Sequence, residues 1–173
     1  GEGFGQSAAG AGDQNGDGHA DVLVGAPSAG HGAAGAGRVY LFSGRDGSLL
    51  RVLDGQKAAD GFGSIVAGVK TGKGTPFVVG AAGGGPAARG RVSVFPRPDR
   101  PATLTIDPDS TGAALGAMFV SIVGDLDGDR VPDVYASDFA DRTLGPATGR
   151  IYVHSGATGR RLLTLSGEHP GDG

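Results

Sequence analysis

Two short stretches of this chain place oxygen-bearing side chains at alternating positions, as in loops that bind a hard cation. In both 13–21 and 125–133, Asp or Asn stands at loop positions 1, 3, 5 and 9. Position 7 is His19 or Val131, whose only oxygen is the backbone carbonyl. Such closely spaced oxygens repel one another unless a cation lies between them, and Ca²⁺ takes six to eight oxygens at roughly 2.3–2.6 Å. Because the pattern occurs twice with matching flanks, we expect calcium rather than the alternative, a metal-free turn rich in Asp and Gly.

The two loops differ from EF-hands and join strands. An EF-hand loop has a bidentate Glu at position 12, where this chain has Val24 and Ala136. The apolar, β-branched run 21–27 ends in Gly and Pro, which is a strand signal. Position 6 is Gly18 in one loop and Arg130 in the other, so Arg130 costs energy if this position requires positive φ.

Composition narrows the class of protein. The chain has 173 residues, 36 of them glycine, which suits one domain or part of a larger one, with many turns and no long helices. It has no cysteine, so disulfides and thiol chemistry are excluded. A net charge of −3 without a basic stripe gives no support for nucleic-acid binding. No apolar run approaches about 18 residues, so we expect no membrane span.

The chain contains three copies of one unit. Similar openings occur at Phe4-Gly5, Phe62-Gly63 and Leu115-Gly116. Each opening belongs to the first of four expected short strands. We therefore divide the chain into 1–61 and 115–173, each with a calcium loop, and 62–114 without one. Second strands are expected at Asp21–Gly25, Phe77–Gly80 and Asp133–Ala136, third strands at Arg38–Phe42, Arg91–Phe95 and Arg150–His154, and fourth strands at Leu49–Leu53, Thr103–Ile106 and Leu162–Leu165.

This repetition predicts an all-β fold made of β-propeller blades. Four antiparallel strands per repeat of roughly 50–60 residues are typical of propellers. A β-sandwich is the competing all-β fold, but it does not predict three copies of one unit. Three blades cannot close a ring, so we expect a segment of a larger propeller or one completed by oligomerisation.

The ordered motifs Phe4-Gly5, Asp13–Asp21, Gly25-Ala26-Pro27 and Gly37-Arg38-Val39-Tyr40 resemble the FG-GAP repeat of integrin alpha-subunit propellers and their bacterial relatives. The third segment departs from it at Ala136-Ser137-Asp138. The resemblance implies a β-propeller with calcium between the first and second strands of a blade. The implied ligands are Asp13, Asn15, Asp17, the His19 carbonyl and Asp21, then Asp125, Asp127, Asp129, the Val131 carbonyl and Asp133.

The middle segment serves as an internal control. Its corresponding loop, 69–76, is shorter and carries Lys70 and Lys73 where the other loops have carboxylates. Ammonium groups repel a cation, so we expect two calcium sites and not three. Sites of this kind typically bind calcium at ~0.1–1 mM, as in extracellular modules. We therefore expect a secreted or cell-surface protein, of bacterial extracellular type, with calcium in a structural role.

The resemblance favours a protein-binding or adhesion module over an enzyme. Contacts with a protein or glycan ligand would come from the loops 28–37, 83–90 and 137–148. Other expected partners are further blades of a parent chain, or a second copy bound through exposed blade faces. A purely structural spacer in a large surface protein is a third possibility.

The enzymatic alternative is the propeller part of a secreted hydrolase or lyase that acts on polysaccharides or glycans. Asp138 and Asp141 with His154 are the acid–base candidates, and most other carboxylates outside the metal loops fall in apparent turns. The sequence contains no nucleophile elbow, since 26–30 lacks the first glycine of that motif.

Overall fold

The computed structural model describes residues 1–69, 72 and 75–173, and this part of the chain is all-β. It contains twelve strands and a three-residue 3₁₀ turn at Pro86–Ala88, and none of its helical segments is long and apolar enough to cross a membrane. The strands are β1 Ser7–Gly12, β2 Asp21–Ala26, β3 Arg38–Phe42, β4 Leu49–Asp54, β5 Phe62–Gly68, β6 Phe77–Ala81, β7 Arg91–Phe95, β8 Leu104–Ile106, β9 Val120–Ile122, β10 Val134–Asp138, β11 Arg150–His154 and β12 Arg161–Ser166.

The strands form three separate four-stranded antiparallel sheets, in the orders β1-β2-β3-β4, β5-β6-β7-β8 and β9-β10-β11-β12. This confirms the expected all-β fold of propeller-like blades, which we call blades one, two and three in chain order. The ring is not closed. The third strands lie where the sequence predicts, whereas β10 continues through Asp138, two residues beyond its expected end and into a segment expected to be loop.

The blades pack face to face because each strand alternates its side chains between two neighbours. The face of blade one that carries Leu23 and Leu41 packs against the face of blade two that carries Val66, Phe77 and Phe95. The opposite face of blade two packs on blade three in a second apolar core. That core contains Val78, Val92, Val94, Ile106, Leu115, Val134, Ala136 and Tyr152.

Glycine at the last but one residue of the second strand, Gly25 in β2 and Gly80 in β6, allows the blades to approach closely. A Cβ added at Gly25 would lie 2.0 Å from the Gly63 carbonyl oxygen, and one at Gly80 would lie 2.1 Å from that of Gly116. The same carbonyls accept hydrogen bonds from serine hydroxyls of the preceding blade. The Ser7 Oγ donates to Gly63 at 3.0 Å, and the Ser64 Oγ donates to Gly116 at 3.2 Å. The glycines of the second and third opening motifs, Gly63 and Gly116, therefore mark the blade-to-blade contacts.

Blade three departs from this pattern on its outward face. By alignment of β2, β6 and β10, Ser137 occupies the position of Gly25 and Gly80. This face also exposes large apolar side chains, including Phe119, Leu163 and Leu165. A further element packed on this face would meet the Ser137 side chain. At the equivalent positions of the other two blades, the next blade meets glycine, Gly25 or Gly80.

Candidate metal centre

The first candidate loop connects β1 to β2 and is organised around Asp13. A register shift between Gly10 and Gly12 turns β1 into the loop. The Asp13 carboxylate accepts hydrogen bonds from the backbone N–H groups of Gly16, Asp17 and Gly18, at 2.6, 3.0 and 3.0 Å. The chain therefore wraps tightly around one carboxylate, which orders the loop without requiring secondary structure.

Asp21, at position 9, ties the loop to the neighbouring hairpin. Its side chain is fully buried and accepts hydrogen bonds from the N–H of Gln14 at 2.7 Å and of Gly44 at 3.1 Å. Gly44 lies in the turn between β3 and β4. One buried carboxylate thus joins both ends of the loop to the next turn of the same blade.

The second candidate loop, between β9 and β10, repeats this arrangement residue for residue. Asp125 accepts hydrogen bonds from the N–H groups at positions 4, 5 and 6 of the loop at 2.7, 3.1 and 2.8 Å. Asp133 is fully buried and accepts from Leu126 at 2.7 Å and Gly156 at 3.1 Å. The shared sequence pattern therefore produces a shared hydrogen-bond pattern in the two loops.

Position 6 adopts positive φ in both loops, so the condition under which Arg130 costs energy is met. The φ angle is 88° at Gly18 and 72° at Arg130. Non-glycine residues pay a steric cost in this region. The Arg130 N–H is one of the three that donate to the Asp125 carboxylate, and this hydrogen bond offsets part of the steric cost.

The middle carboxylates, Asp17 and Asp129, lie nearer the surface. Each accepts a hydrogen bond from the N–H of position 7, His19 or Val131, at 2.8 Å. The amide of Asn15 and the N–H of His19 hold the pKa of the Asp17 carboxyl below its usual value. Asp17 therefore remains charged at neutral pH, as a cation ligand must.

Sequence reasoning missed two serines that support these carboxylates. The Ser43 Oγ lies 3.4 Å from Asp17 Oδ2, and the Ser155 Oγ lies 3.3 Å from Asp129 Oδ2. Both serines are buried and start the turn between the third and fourth strands. The sequence signal for them is the shared Ser-Gly pair at 43–44 and 155–156.

Within the described residues, one group of three acidic side chains lies close enough together to hold a metal ion. It consists of Asp125, Asp127 and Asp133, each of which offers an oxygen within 4.8 Å of the other two. Carboxylate, amide and carbonyl oxygens suit Ca²⁺ or Mg²⁺ rather than softer metals. The donor chemistry of both loops therefore fits calcium, and the second loop already brings three of its carboxylates together.

A cationic side chain lies near an implied ligand of the second loop. The Arg160 guanidinium lies 3.6 Å from Asp127 and is 68% exposed, so this pair is screened by water. Of the loop expected to lack a site, Lys70 and Lys73 lie outside the described residues, and the expectation of no calcium there stays a prediction.

The acid–base candidates of the enzymatic alternative do not assemble into one site. In the register of β10 and β11, Asp138 pairs with Arg150 and Val134 pairs with His154. Arg150 and His154 are the two ends of the five-residue strand β11, four residue steps or ~13 Å apart. Asp138 is buried and accepts hydrogen bonds from the N–H groups of Ala113 and Ala114, although burial raises the pKa of its carboxyl.

The other two candidates are also engaged in local structure. Asp141 is fully buried and accepts a hydrogen bond from the Thr111 hydroxyl at 2.9 Å. The His154 Nδ1 lies 2.9 Å from the Gly159 carbonyl, so Nδ1 carries the donated proton. Burial lowers the pKa of His154, which favours the neutral ring. These contacts assign Asp138, Asp141 and His154 to the packing of blade three.

Comparison with known proteins gives one family match. None of the curated proteins compared with the chain matches it. The model of the FG-GAP repeat family matches residues 4–42, from the Phe-Gly opening to the end of β3. This match contains the whole first metal loop, its anchor and the strand that follows. The chain therefore carries an FG-GAP repeat, which spans most of blade one.

Proposed function

We propose that this chain is a calcium-binding segment of an FG-GAP propeller, acting as a protein-binding or adhesion module in which calcium is structural. The observation that carries the proposal is the equivalence of the two loops. Their anchors, Asp21 and Asp133, are buried and accept the same pair of hydrogen bonds, with distances that agree to 0.1 Å. Each loop also holds carboxylates at positions 1 and 5, and bound calcium would offset the repulsion between them and the anchor.

The ligands in each loop would be the residues at positions 1, 3, 5 and 9 and the carbonyl at position 7. Bound calcium would supply the positive charge that offsets the repulsion among these oxygens. The first loop has three carboxylates and the second has four, because Asp127 stands where the first loop has Asn15. A ligand that binds only the folded state stabilises it by RT ln(1 + [Ca]/Kd), or ~1.4 kcal/mol at tenfold excess over Kd.

A structural role is favoured by where the loops attach. Each loop joins the first two strands of its blade and is fastened to the turn between the third and fourth strands through Gly44 or Gly156. A cation in the loop would therefore strengthen the connection among all four strands. The enzymatic alternative gains no comparable support, because its candidate groups lie at opposite ends of blade three.

Calorimetric titration of calcium tests the proposal directly. We expect about two calcium ions per chain, and one in each of the variants Asp17→Ala and Asp129→Ala, which remove the ligand oxygens at position 5. Asp46→Ala is the matched control, since Asp46 lies in an exposed turn and accepts a hydrogen bond from the Ser48 N–H. Two ions bound to either loop variant, or none bound to the wild type, would contradict the proposed sites.

The proposed setting is extracellular. FG-GAP repeats are typical of extracellular proteins, and a site with few carboxylates typically binds calcium at ~0.1–1 mM. Such a site fills outside cells and stays empty in the cytosol. A measured Kd below about 1 μM would instead indicate a site tuned to intracellular calcium.

The outer faces of blades one and three are the proposed partner surfaces. On blade one, Phe4 is 58% exposed and forms an aromatic cluster with Tyr40 and Phe42. On blade three, Leu163 and Leu165 are 45% and 51% exposed. Adjacent apolar side chains of this size mark interaction surfaces. The proposed occupants are further blades of a parent chain or a second copy of this chain.

A further inference from the structure

We propose that Gln14 makes the first metal loop part of the junction between blades one and two, so that calcium binding and the packing of blade two stabilise each other. Gln14 stands at position 2 of the loop, which is not a ligand position. The inference rests on the proposed calcium site in Asp13–Asp21.

Gln14 contacts the metal loop and the neighbouring blade at the same time. Its backbone N–H donates to the buried Asp21 carboxylate at 2.7 Å. Its side-chain Nε2 donates to the Thr75 carbonyl, in the connection between β5 and β6 of blade two, at 2.8 Å. The residue is only 8% exposed. A movement of blade two is therefore transmitted to a ligand carboxylate through one residue.

Three further contacts fasten the start of the loop to blade two. The Asp13 N–H donates to the Gly72 carbonyl at 2.9 Å, and the Thr75 hydroxyl donates to the Ala11 carbonyl at 2.9 Å. At Gly12, an added Cβ would lie 2.7 Å from the Thr75 Oγ1 and 2.8 Å from the Gly72 oxygen. These contacts bury Asp13, which is only 7% exposed.

The second loop shows the same internal bonds without this attachment. Leu126 holds the equivalent of the Gln14 position, and its N–H donates to Asp133 at 2.7 Å. Its side chain is 62% exposed, and Asp125, the equivalent of Asp13, is also exposed. The chain thus provides its own comparison between a loop that is fastened to the next blade and a loop that is not.

Coupling between two events is reciprocal in free energy, so a change on blade two must alter the calcium affinity of the first loop. Typical coupling changes affinity by 5- to 150-fold. Gln14 acts here as a positioning residue, since it orients Asp21 and the start of the loop and does not itself offer a ligand to the cation. No such dependence is expected for the second loop.

The experiment measures calcium affinity of each loop separately by calorimetric titration. Asp129→Ala silences the second loop, and in this background Gln14→Leu and Thr75→Val are each expected to weaken the remaining site about fivefold or more. Leu126→Gln, measured with the first loop silenced by Asp17→Ala, is the matched control and is expected to change affinity less than twofold. Circular dichroism in EDTA establishes that each variant is folded.

The outcomes separate this inference from the proposed calcium site. Calcium binding at the first loop that is unchanged by both Gln14→Leu and Thr75→Val overturns the coupling and leaves the site itself intact. Absence of calcium binding at the first loop of the wild-type sequence overturns both. Equal weakening of the second loop by Thr75→Val would show a general loss of stability instead of coupling through Gln14, and would also overturn the inference.

Discussion

At the scale of single residues, the two candidate metal loops separate buried side chains that anchor the loop from exposed side chains at position 3. Asp21 and Asp133 are fully buried, and each satisfies two backbone N–H groups. Asn15 and Asp127 are exposed residues at position 3. The buried pair should therefore stabilise the fold even without metal, whereas position 3 should matter only when metal is bound.

Replacing an anchor tests this division of roles. Asp21→Ala or Asp133→Ala leaves two backbone N–H groups without their acceptor, and a buried group left in this way costs about 1–3 kcal/mol. We expect a loss of that order in the free energy of unfolding, measured by urea denaturation in EDTA. Asn15→Ala is the matched control and should change stability in EDTA by less than about 0.5 kcal/mol. Equal effects of Asp21→Ala and Asn15→Ala would contradict the anchoring role.

The sequence predicted the positions of the two candidate loops but not the residues elsewhere that hold them in place. Alternating Asp and Asn at 13–21 and 125–133 is local information, and the structure confirms the positive φ at Arg130 that the comparison with Gly18 suggested. Ser43 and Gln14 were not recognised because their roles depend on a turn or a blade that is distant along the chain. No spacing within the loop indicates such contacts.

At the scale of elements, the junctions between blades decide which substitutions the sheets tolerate. Gly80→Ser would place its Cβ 2.1 Å from the Gly116 carbonyl oxygen and 2.4 Å from the Ile65 Cγ2. Overpacking of this kind typically costs about 1–3 kcal/mol. The equivalent Ser137 faces outward, so Ser137→Gly should cost only the ~0.5–1 kcal/mol typical of glycine in a strand.

Thermal or urea unfolding of Gly80→Ser and Ser137→Gly measures this difference directly. A loss for Ser137→Gly as large as that for Gly80→Ser would mean that Ser137 is engaged by a blade-like neighbour. The two substitutions exchange the same pair of residue types in opposite directions. Because glycine weakens a strand, backbone propensity alone would make Ser137→Gly the more costly change, which is the reverse of the expected order.

An ion-pair network at the second junction predicts a pH dependence. Asp109, in the connection after β8, lies 2.8 Å from Arg161 and 3.1 Å from Arg150. The Arg161 guanidinium holds the pKa of the Asp109 carboxyl below its usual 3.8. A lowered folded-state pKa stabilises the protein above the unfolded-state value, and this contribution is lost as pH falls through the folded-state pKa.

Asp109→Asn should therefore lower the unfolding midpoint near neutral pH and flatten its decline below about pH 4. Melting temperatures measured from pH 7 to pH 2.5 in EDTA provide the comparison with the wild type. The effect is expected to be modest, since the Asp109 side chain is 34% exposed and partly screened by water. An identical decline of the unfolding midpoint below about pH 4 in the two proteins would contradict the assignment of Asp109 to this network.

The sequence predicted where most elements lie but not how the junctions differ. Alternation of apolar residues located β3, β7 and β11, because period-two patterns are local. The extension of β10 through Asp138 was missed, since Ser137 and Asp138 interrupt the apolar run. Asp138 remains in the strand because its buried carboxylate accepts the N–H groups of Ala113 and Ala114.

At the scale of the whole molecule, three blades form an open arc with two apolar ends. Repetition of the opening motif was sufficient to predict this architecture, because each copy builds one sheet and covers the face of the sheet before it. The sequence could not show that Ser137 changes the terminal face, since that depends on the contact distance at Gly25 and Gly80. A second copy at this end must therefore pack less closely than the internal blades do.

Self-association through these ends is expected to depend on concentration. Light scattering should show a rise in mass as protein concentration increases, because burial of exposed Phe and Leu side chains favours association. The double variant Leu163→Glu/Leu165→Glu removes the apolar strip on blade three and should shift the protein towards monomer. Ser166→Glu is a control for added charge at the end of the same strand. A wild-type monomer at millimolar concentration would contradict self-association and leave other blades as the proposed occupants.

The central claim, that two calcium ions hold the loops of blades one and three, is tested most directly by thermal unfolding in EDTA and in 1–5 mM CaCl₂. At these concentrations, and for a Kd of ~0.1–1 mM, linkage predicts a stabilisation of about 0.4–2.3 kcal/mol per site. We expect calcium to raise the midpoint of the wild type, with a smaller rise for each of Asp17→Ala and Asp129→Ala and almost none for the double variant. An identical midpoint with and without calcium in the wild type would contradict the claim and leave both loops as metal-free turns.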